Sequence, residues 1–96
     1  MQLRNNFTNE TRNLFLYVYN CFECGRSDQG LELNHIKGRC SSSPINAIPL
    51  CLVCHSKVGH TQDEEQKYFH LTLRFLVKEN YLFTPDDIEF YKSNVL

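Results

Sequence analysis

From Glu64 onward the apolar residues Tyr68, Phe69, Leu73, Leu76, Val77 and Tyr81 recur at three- and four-residue steps, with charged positions between them. That period predicts an amphipathic helix over residues 64–80 whose other face meets solvent. Thr84-Pro85-Asp86-Asp87 follows: an N-cap threonine, a proline at the first helical position and an acid three residues after the cap. Together they predict a last helix to about Ser93, with Ile88 and Tyr91 turned inward. At the other end, Thr8 to Asn20 opens on helix-starting polar residues and runs into Leu14-Phe15-Leu16-Tyr17-Val18. Such a run is open to helix or strand, and helix is the expectation. Leu31 to Ile36 alternates enough for a short strand, and Lys37 to Pro44 is a polar loop. Asn46 to Leu50 leads back toward a short helix from Cys51 to about His60. With no repeat, low-complexity tract or linker, the expectation is one α+β domain over residues 1–96, with a motif core at 21–60 and a helical tail at 62–96.

Ninety-six residues leave a single core only a slim stability margin, so a covalent or metal staple is expected. Five cysteines cannot all pair, whereas the C-x-x-C units Cys21/Cys24 and Cys51/Cys54 take four and leave Cys40 as an unliganded thiol. The chain shows no secretory leader and no apolar run long enough to cross a bilayer, which places it in a reducing cytoplasm, away from membranes. There the cysteines are thiolates and metal is favoured over disulfide. Two residues between thiolates let both sulfurs reach one ion, and Gly25 permits the tight backbone that follows. Four soft thiolates from two loops suit a tetrahedral structural zinc with no open position for substrate. Such a site contributes roughly 10 to 16 kcal/mol of apparent binding energy to folding. An iron–sulfur cluster is the competing occupant, but nothing in the chain points to redox work.

Ten Lys and Arg against eleven Asp and Glu give a net charge of −1, which argues against a sequence-blind nucleic-acid coat protein. Residues 1–20 and 21–60 each come out at plus one, whereas residues 61–96 hold four basic and seven acidic groups. The acidity therefore lies in the tail and leaves the cysteine–histidine region free to meet phosphates.

A four-cysteine ribbon alone does not account for the polar residues between the knuckles. Asn34-His35-Ile36, then Asn46, then Leu50-Cys51-Leu52-Val53-Cys54-His55 resembles the HNH endonuclease family, within the nucleases built on a ββα-metal finger. The match covers about residues 21–60, and Asn46 precedes His55 by nine residues, as that pattern wants. The resemblance implies a zinc-stapled ββα-metal domain with flanking helices that hydrolyses phosphodiester bonds in DNA. It makes His35 the general base, since imidazole titrates near neutral pH. His55 becomes a ligand of a catalytic divalent ion (magnesium, manganese, nickel or zinc), and Asn34 stands in the place of the other main ligand. Asn46 either orients the catalytic loop or adds its own oxygen to the ion. The family's usual residue at position 34 is a carboxylate or imidazole, and a neutral amide binds hard cations less strongly. His60, five residues after His55, is a further candidate ligand. Lys37, Arg39 and Lys57 flank the site as phosphate contacts, Arg39 in bidentate fashion. Ser41-Ser42-Ser43 is either a phosphate contact or plain loop, Glu32 shares a strand face with Asn34 and steadies it, and His70 is a partly exposed packing residue. The size suits a phage or mobile-element enzyme in a bacterial host cell, working as a nickase or within a larger packaging, recombination or restriction complex. The alternative is a zinc-ribbon nucleic-acid or protein adaptor that has lost catalysis.

Overall fold

In the computed structural model, which describes residues 7–27 and 30–96, every α-helix of the described residues opens on a side-chain cap. The hydroxyls of Thr8, Thr61 and Thr84 accept from the backbone N–H three residues on, and the thiol of Cys51 does the same for Cys54. Each cap satisfies one of the donors a helix start leaves orphaned. The resulting order is α1 (Asn9–Leu14), β1 (Leu31–His35), β2 (Ala47–Cys51), α2 (Leu52–Ser56), α3 (Gln62–Lys78) and α4 (Pro85–Asn94). Short 3-10 turns at Gly38–Cys40 and Pro44–Asn46 shape the connection between the strands. Asp28, counted above in the charge of the central section, lies outside the described residues.

β1 and β2 form an antiparallel pair in which Leu31 faces Cys51, Leu33 faces Pro49 and His35 faces Ala47. All five residues of β2 are buried, because it is covered on both sides, and Pro49 is tolerated because a two-stranded sheet has only edge strands. α3 lies over β2 and the Pro44–Asn46 turn. Its buried residues are Tyr68, Phe69, Thr72 and Leu76. They join Phe15, Leu33, Ile45, Ile48, Leu50 and Phe90 in the core. Thr72 belongs there because its hydroxyl donates to the Ala47 carbonyl, 2.6 Å away, which satisfies both groups without water. The result is a small mixed domain of helices around a two-stranded sheet, with a four-cysteine cluster.

Four details depart from the pattern-based expectation. The first helix stops at Leu14 rather than Asn20. The run that follows is apolar on all sides and offers no single core stripe: Phe15 is buried while Leu16 and Tyr17 are exposed. The helix after Cys51 ends at Ser56, because His60 takes a left-handed backbone (φ 56°) and Glu64 Oε1 captures the N–H groups of Gly59 and His60. α3 starts at Gln62, two residues earlier than the periodicity marks, because Thr61 caps it, and it stops at Lys78, with Asn80 just beyond in the left-handed region (φ 58°). Val77 and Ile88, expected inside, are 64% and 46% exposed. In α4 the inward positions belong to Asp87 and Phe90.

Asp87 is 3% exposed and closes the capping box with Thr84, as the sequence predicts. Its carboxylate also accepts from Ser43 Oγ at 2.6 Å and from Tyr81 OH at 2.5 Å, joining α4 to the turn before β2. Burial alone would raise its pKa, but these hydroxyls and the Thr84 N–H outweigh burial and hold it below its ordinary value. Burial and the same contact push the Tyr81 phenol up. Because the folded pKa is depressed, the stabilisation is present above the unfolded value of about 3.9 and is lost as pH falls through the lower folded value. Asp87→Asn is therefore expected to cost about 1–3 kcal/mol at neutral pH. In urea unfolding, the gap between parent and variant should narrow once pH drops below about 4. A gap that stays constant down to strong acid would show that the buried carboxyl is not ionised in the fold.

Candidate functional site

The first knuckle is made by backbone bonds that bend residues 20–26 back on themselves. Cys21 N–H donates to the Arg26 carbonyl and Gly25 N–H to the Cys21 carbonyl, both at 2.9 Å. Gly25 sits at φ 76°, a conformation that costs glycine nothing. Asn20 Nδ2 donates to the Gly25 carbonyl, and Phe22 N–H donates to Pro49 of β2, which docks the knuckle against the hairpin. The second pair needs no separate scaffold. Cys51 is the last residue of β2 and the cap of α2, and Cys54 follows within the first turn.

The four sulfurs of Cys21, Cys24, Cys51 and Cys54 all lie within 4.8 Å of one another. A tetrahedron with zinc–sulfur bonds of about 2.3 Å has edges of about 3.8 Å. The Cys24–Cys51 separation is 3.8 Å, so the set closes on an ion of that kind with little movement. Electrostatics points the same way. Burial would raise the Cys21 thiol, but N–H donors from Cys24, Cys51 and Glu23 bring it down to about 7. Burial and then the three neighbouring thiols push Cys54 up to about 12. The cluster thus ionises readily once and resists further negative charge, which a bound cation would balance. Four gathered cysteines can hold a structural metal such as zinc. Among the described residues they are the one such gathering of three or more His, Cys, Asp or Glu ligand atoms. Cys40 stands apart and exposed, its thiol donating to the Lys37 carbonyl.

Glu32 of β1 contacts both proposed ligands of the catalytic ion, by different groups. His55 Nδ1 lies 3.2 Å from Glu32 Oε2, and Asn34 Nδ2 donates to the Glu32 backbone carbonyl at 3.0 Å. Glu32 was expected to steady Asn34; its carboxylate meets His55 instead, and only its backbone meets Asn34. A carboxylate on Nδ1 fixes the tautomer and leaves Nε2 of His55 with a lone pair for a ligand. Alternation along β1 sends His35 to the opposite face from Glu32 and Asn34. There its ring stacks on Phe7, with centroids 4.0 Å apart and planes within 13°. Burial, helped by the charge of Arg39, lowers its pKa and favours the neutral imidazole. Its Nε2 is buried and has no hydrogen-bond partner among the described residues.

Asn46 is wholly buried and clasps the loop after His35. Its Oδ1 accepts from Lys37 N–H, its Nδ2 donates to the carbonyls of Gly38 and Ser41, and its own carbonyl accepts from Ile36 N–H. Of its two sequence-based roles, orienting this loop matches the contacts it makes. Lys37, Arg39 and Lys57 are exposed, on that loop and after α2. His60 is exposed beyond α2, and among the described residues its ring joins no gathered group of three or more ligand atoms. Three contributors went unnoticed in the sequence: Glu32 as the partner of His55, Phe7 against His35, and Asp87 through Ser43. Each is a pairing of residues more than twenty positions apart, and no local pattern announces it.

Comparison of the chain with protein-family models, with curated proteins and with solved structures finds no match.

The cysteine cluster makes a direct prediction. Purified protein should carry about one tightly held zinc per chain, and strong chelation should unfold it in one transition. Cys51→Ser, which alters strand end, helix cap and cluster together, should lose both the metal and the fold by circular dichroism and metal analysis. A folded Cys51→Ser protein with its zinc intact would remove this cysteine from the site.

Proposed function

We propose that the chain is a metal-dependent DNA endonuclease of the HNH type, stapled by zinc at Cys21, Cys24, Cys51 and Cys54. The main support is the order of elements around the cluster: an antiparallel hairpin, β1–β2, runs directly into α2, with Asn34 and His35 ending the first strand, Asn46 entering the second and His55 on the helix. That arrangement agrees with what the HNH resemblance implies.

In this mechanism His35, kept neutral, takes a proton from the attacking water. Asn46 holds the loop that follows it, so that Lys37 and Arg39 can meet the phosphates flanking the scissile bond, with Lys57 on the other side. Glu32 holds His55 through Nδ1, and Asn34 offers an amide oxygen from the same strand face. His55 and Asn34 are the residues that would hold the catalytic ion, with His60 a further candidate. A divalent ion bound there supplies charge stabilisation for the phosphorane and the departing 3′ oxygen. The donors fit such an ion, although one neutral amide and one imidazole are a weak set for hard magnesium. The second reading is a non-catalytic zinc adaptor. It is favoured by that weak set and by the burial of His35 Nε2, since that nitrogen must be uncovered before it can act as a base.

Supercoiled plasmid incubated with magnesium, manganese, nickel or zinc separates the two. Nicking that vanishes in His35→Ala supports the nuclease, and its absence with every ion leaves the adaptor. His35→Ala is expected to abolish cleavage while divalent-ion affinity stays nearly intact, whereas His55→Ala loses both. Calorimetry showing equal loss of ion binding in the two variants would overturn the division of roles. Glu32→Gln should weaken ion binding about 10- to 100-fold while leaving the zinc cluster loaded. Asn34→Asp should raise magnesium-supported cleavage relative to manganese or nickel. If Asn34→Asp and Asn34→Ala both leave metal preference unchanged, Asn34 is not a ligand.

A further inference from the structure

The net acidity of the tail hides how α3 sorts its charges. Asp63, Glu64 and Glu65 fall in its first turn, where the helix dipole favours them, and Glu79 sits at its C-cap. Lys67, His70, Arg74 and Lys78 stand at steps of three, four and four, and all four are exposed. Those steps put them on one face of the helix, in a stripe about 16 Å long. Three of the four lysines and arginines in residues 61–96 therefore share one face. Asp63 and Glu64, four and three residues before Lys67, are the acids at its far end.

A trough runs beside this stripe. One depression of about 450 Å³ is lined by Phe22, Leu71, Arg74, Phe75 and Lys78. A second, of about 340 Å³, is lined by Lys67, His70, Leu71 and Arg74. Leu71 and Arg74 line both, so the two adjoin. The floor is aromatic: Phe22, from the knuckle, and Phe75 are half-buried, with ring centroids 5.5 Å apart. At one end Lys67 Nζ reaches Glu23 Oε1 of the same knuckle at 2.7 Å. Arg74 and Lys78 have no ion pair among the described residues.

We propose that this stripe and trough form a docking surface for a single nucleic-acid strand, with phosphates along Lys67, Arg74 and Lys78 and unpaired bases against Phe22 and Phe75. It deepens the nuclease function proposed above, on which it rests, by assigning a site for the strand that flanks the cleaved bond. A row of cations beside an aromatic floor is the combination that holds unpaired strands, through backbone charge and base stacking together. A duplex keeps its bases stacked inside and leaves the floor unused, and an acidic peptide meets the charges but not the rings.

The test uses the full zinc-loaded chain carrying His35→Ala, so that nothing is cut, and fluorescence anisotropy with a labelled mixed-sequence DNA strand, its duplex and polyglutamate. The single strand is expected to bind best. Arg74→Glu with Lys78→Glu should weaken that binding at least tenfold and flatten its salt dependence by about 1.4 in log–log slope, two contacts at roughly 0.7 each. Lys92→Glu, a single reversal on α4, should leave binding within twofold. Metal analysis and circular dichroism establish that each variant keeps its zinc and fold. Unchanged binding in the double variant, equal or better binding of duplex or polyglutamate, or no binding by the parent at low salt would each overturn the proposal. Plasmid nicking by protein with His35 intact is read separately. Stripe-dependent binding without nicking sinks only the nuclease function, and nicking with stripe-independent binding sinks only the docking surface.

Discussion

The rest of the structure hangs on Cys51. This fully buried residue ends β2, caps α2 and supplies a sulfur to the four-cysteine cluster, so three constraints meet at one Cα. Strand register, helix start and knuckle position therefore cannot vary independently. Shifting the hairpin by one residue would turn Cys51 away from Cys21 and Cys24 and at the same time expose the core face of β2. In a domain of this size such coincidence matters, because two short strands and a five-residue helix are each marginal alone. A metal held by the four thiolates would contribute binding energy comparable to the net stability of a whole small domain and would make the three form together.

From that anchor, order reaches the loop after His35 through hydrogen bonds as well as through the packing of Ile36 and Ile45 in the core. Asn46 meets Ile36, Lys37, Gly38 and Ser41, and Ser43 meets both Ile45 N–H and the carboxylate of Asp87. The loop is thus held from β2 at one end and from α4 at the other. The side chains of Asn46 and Asp87 are buried, so a bond left unmade there would carry the full desolvation cost of its donor or acceptor. A helix that the sequence presents as an accessory thereby becomes part of what fixes the loop.

What the sequence disclosed, and what it withheld, divides by the range of the interaction. Thr84 with Asp87, the two C-x-x-C turns and the period of α3 are contacts within four residues, and residue type alone announces them. Val77 and Thr72 show the limit of periodicity. Thr72 lies within the buried stripe of Tyr68, Phe69 and Leu76, where its hydroxyl meets the Ala47 carbonyl, whereas Val77 falls at the edge of that stripe and is exposed. The extent of α1 failed for a related reason: Leu14 to Val18 is apolar on every side, so its pattern carries no information about which turn faces the core. Glu32 with His55, Phe7 with His35 and Asp87 with Ser43 depend on how the hairpin and tail come together. Nothing local encodes them.

The proposed site carries little negative charge of its own, and that has a consequence for how it would operate. Asn34 is neutral, the carboxylate of Glu32 is directed to His55 Nδ1, and the proposed phosphate contacts Lys37, Arg39 and Lys57 are exposed cations. A divalent ion entering alone would find one imidazole and one amide oxygen, a poor exchange for its hydration shell. A nucleic-acid phosphate changes that balance, because it brings anionic oxygens that can enter the ion's shell while its remaining charge meets the flanking lysine and arginine groups. Ion and strand would then bind more strongly together than either does alone, each improving the affinity of the other by the same factor. The neutral amide at position 34 is thus compatible with a site that binds its ion more tightly once substrate is in place.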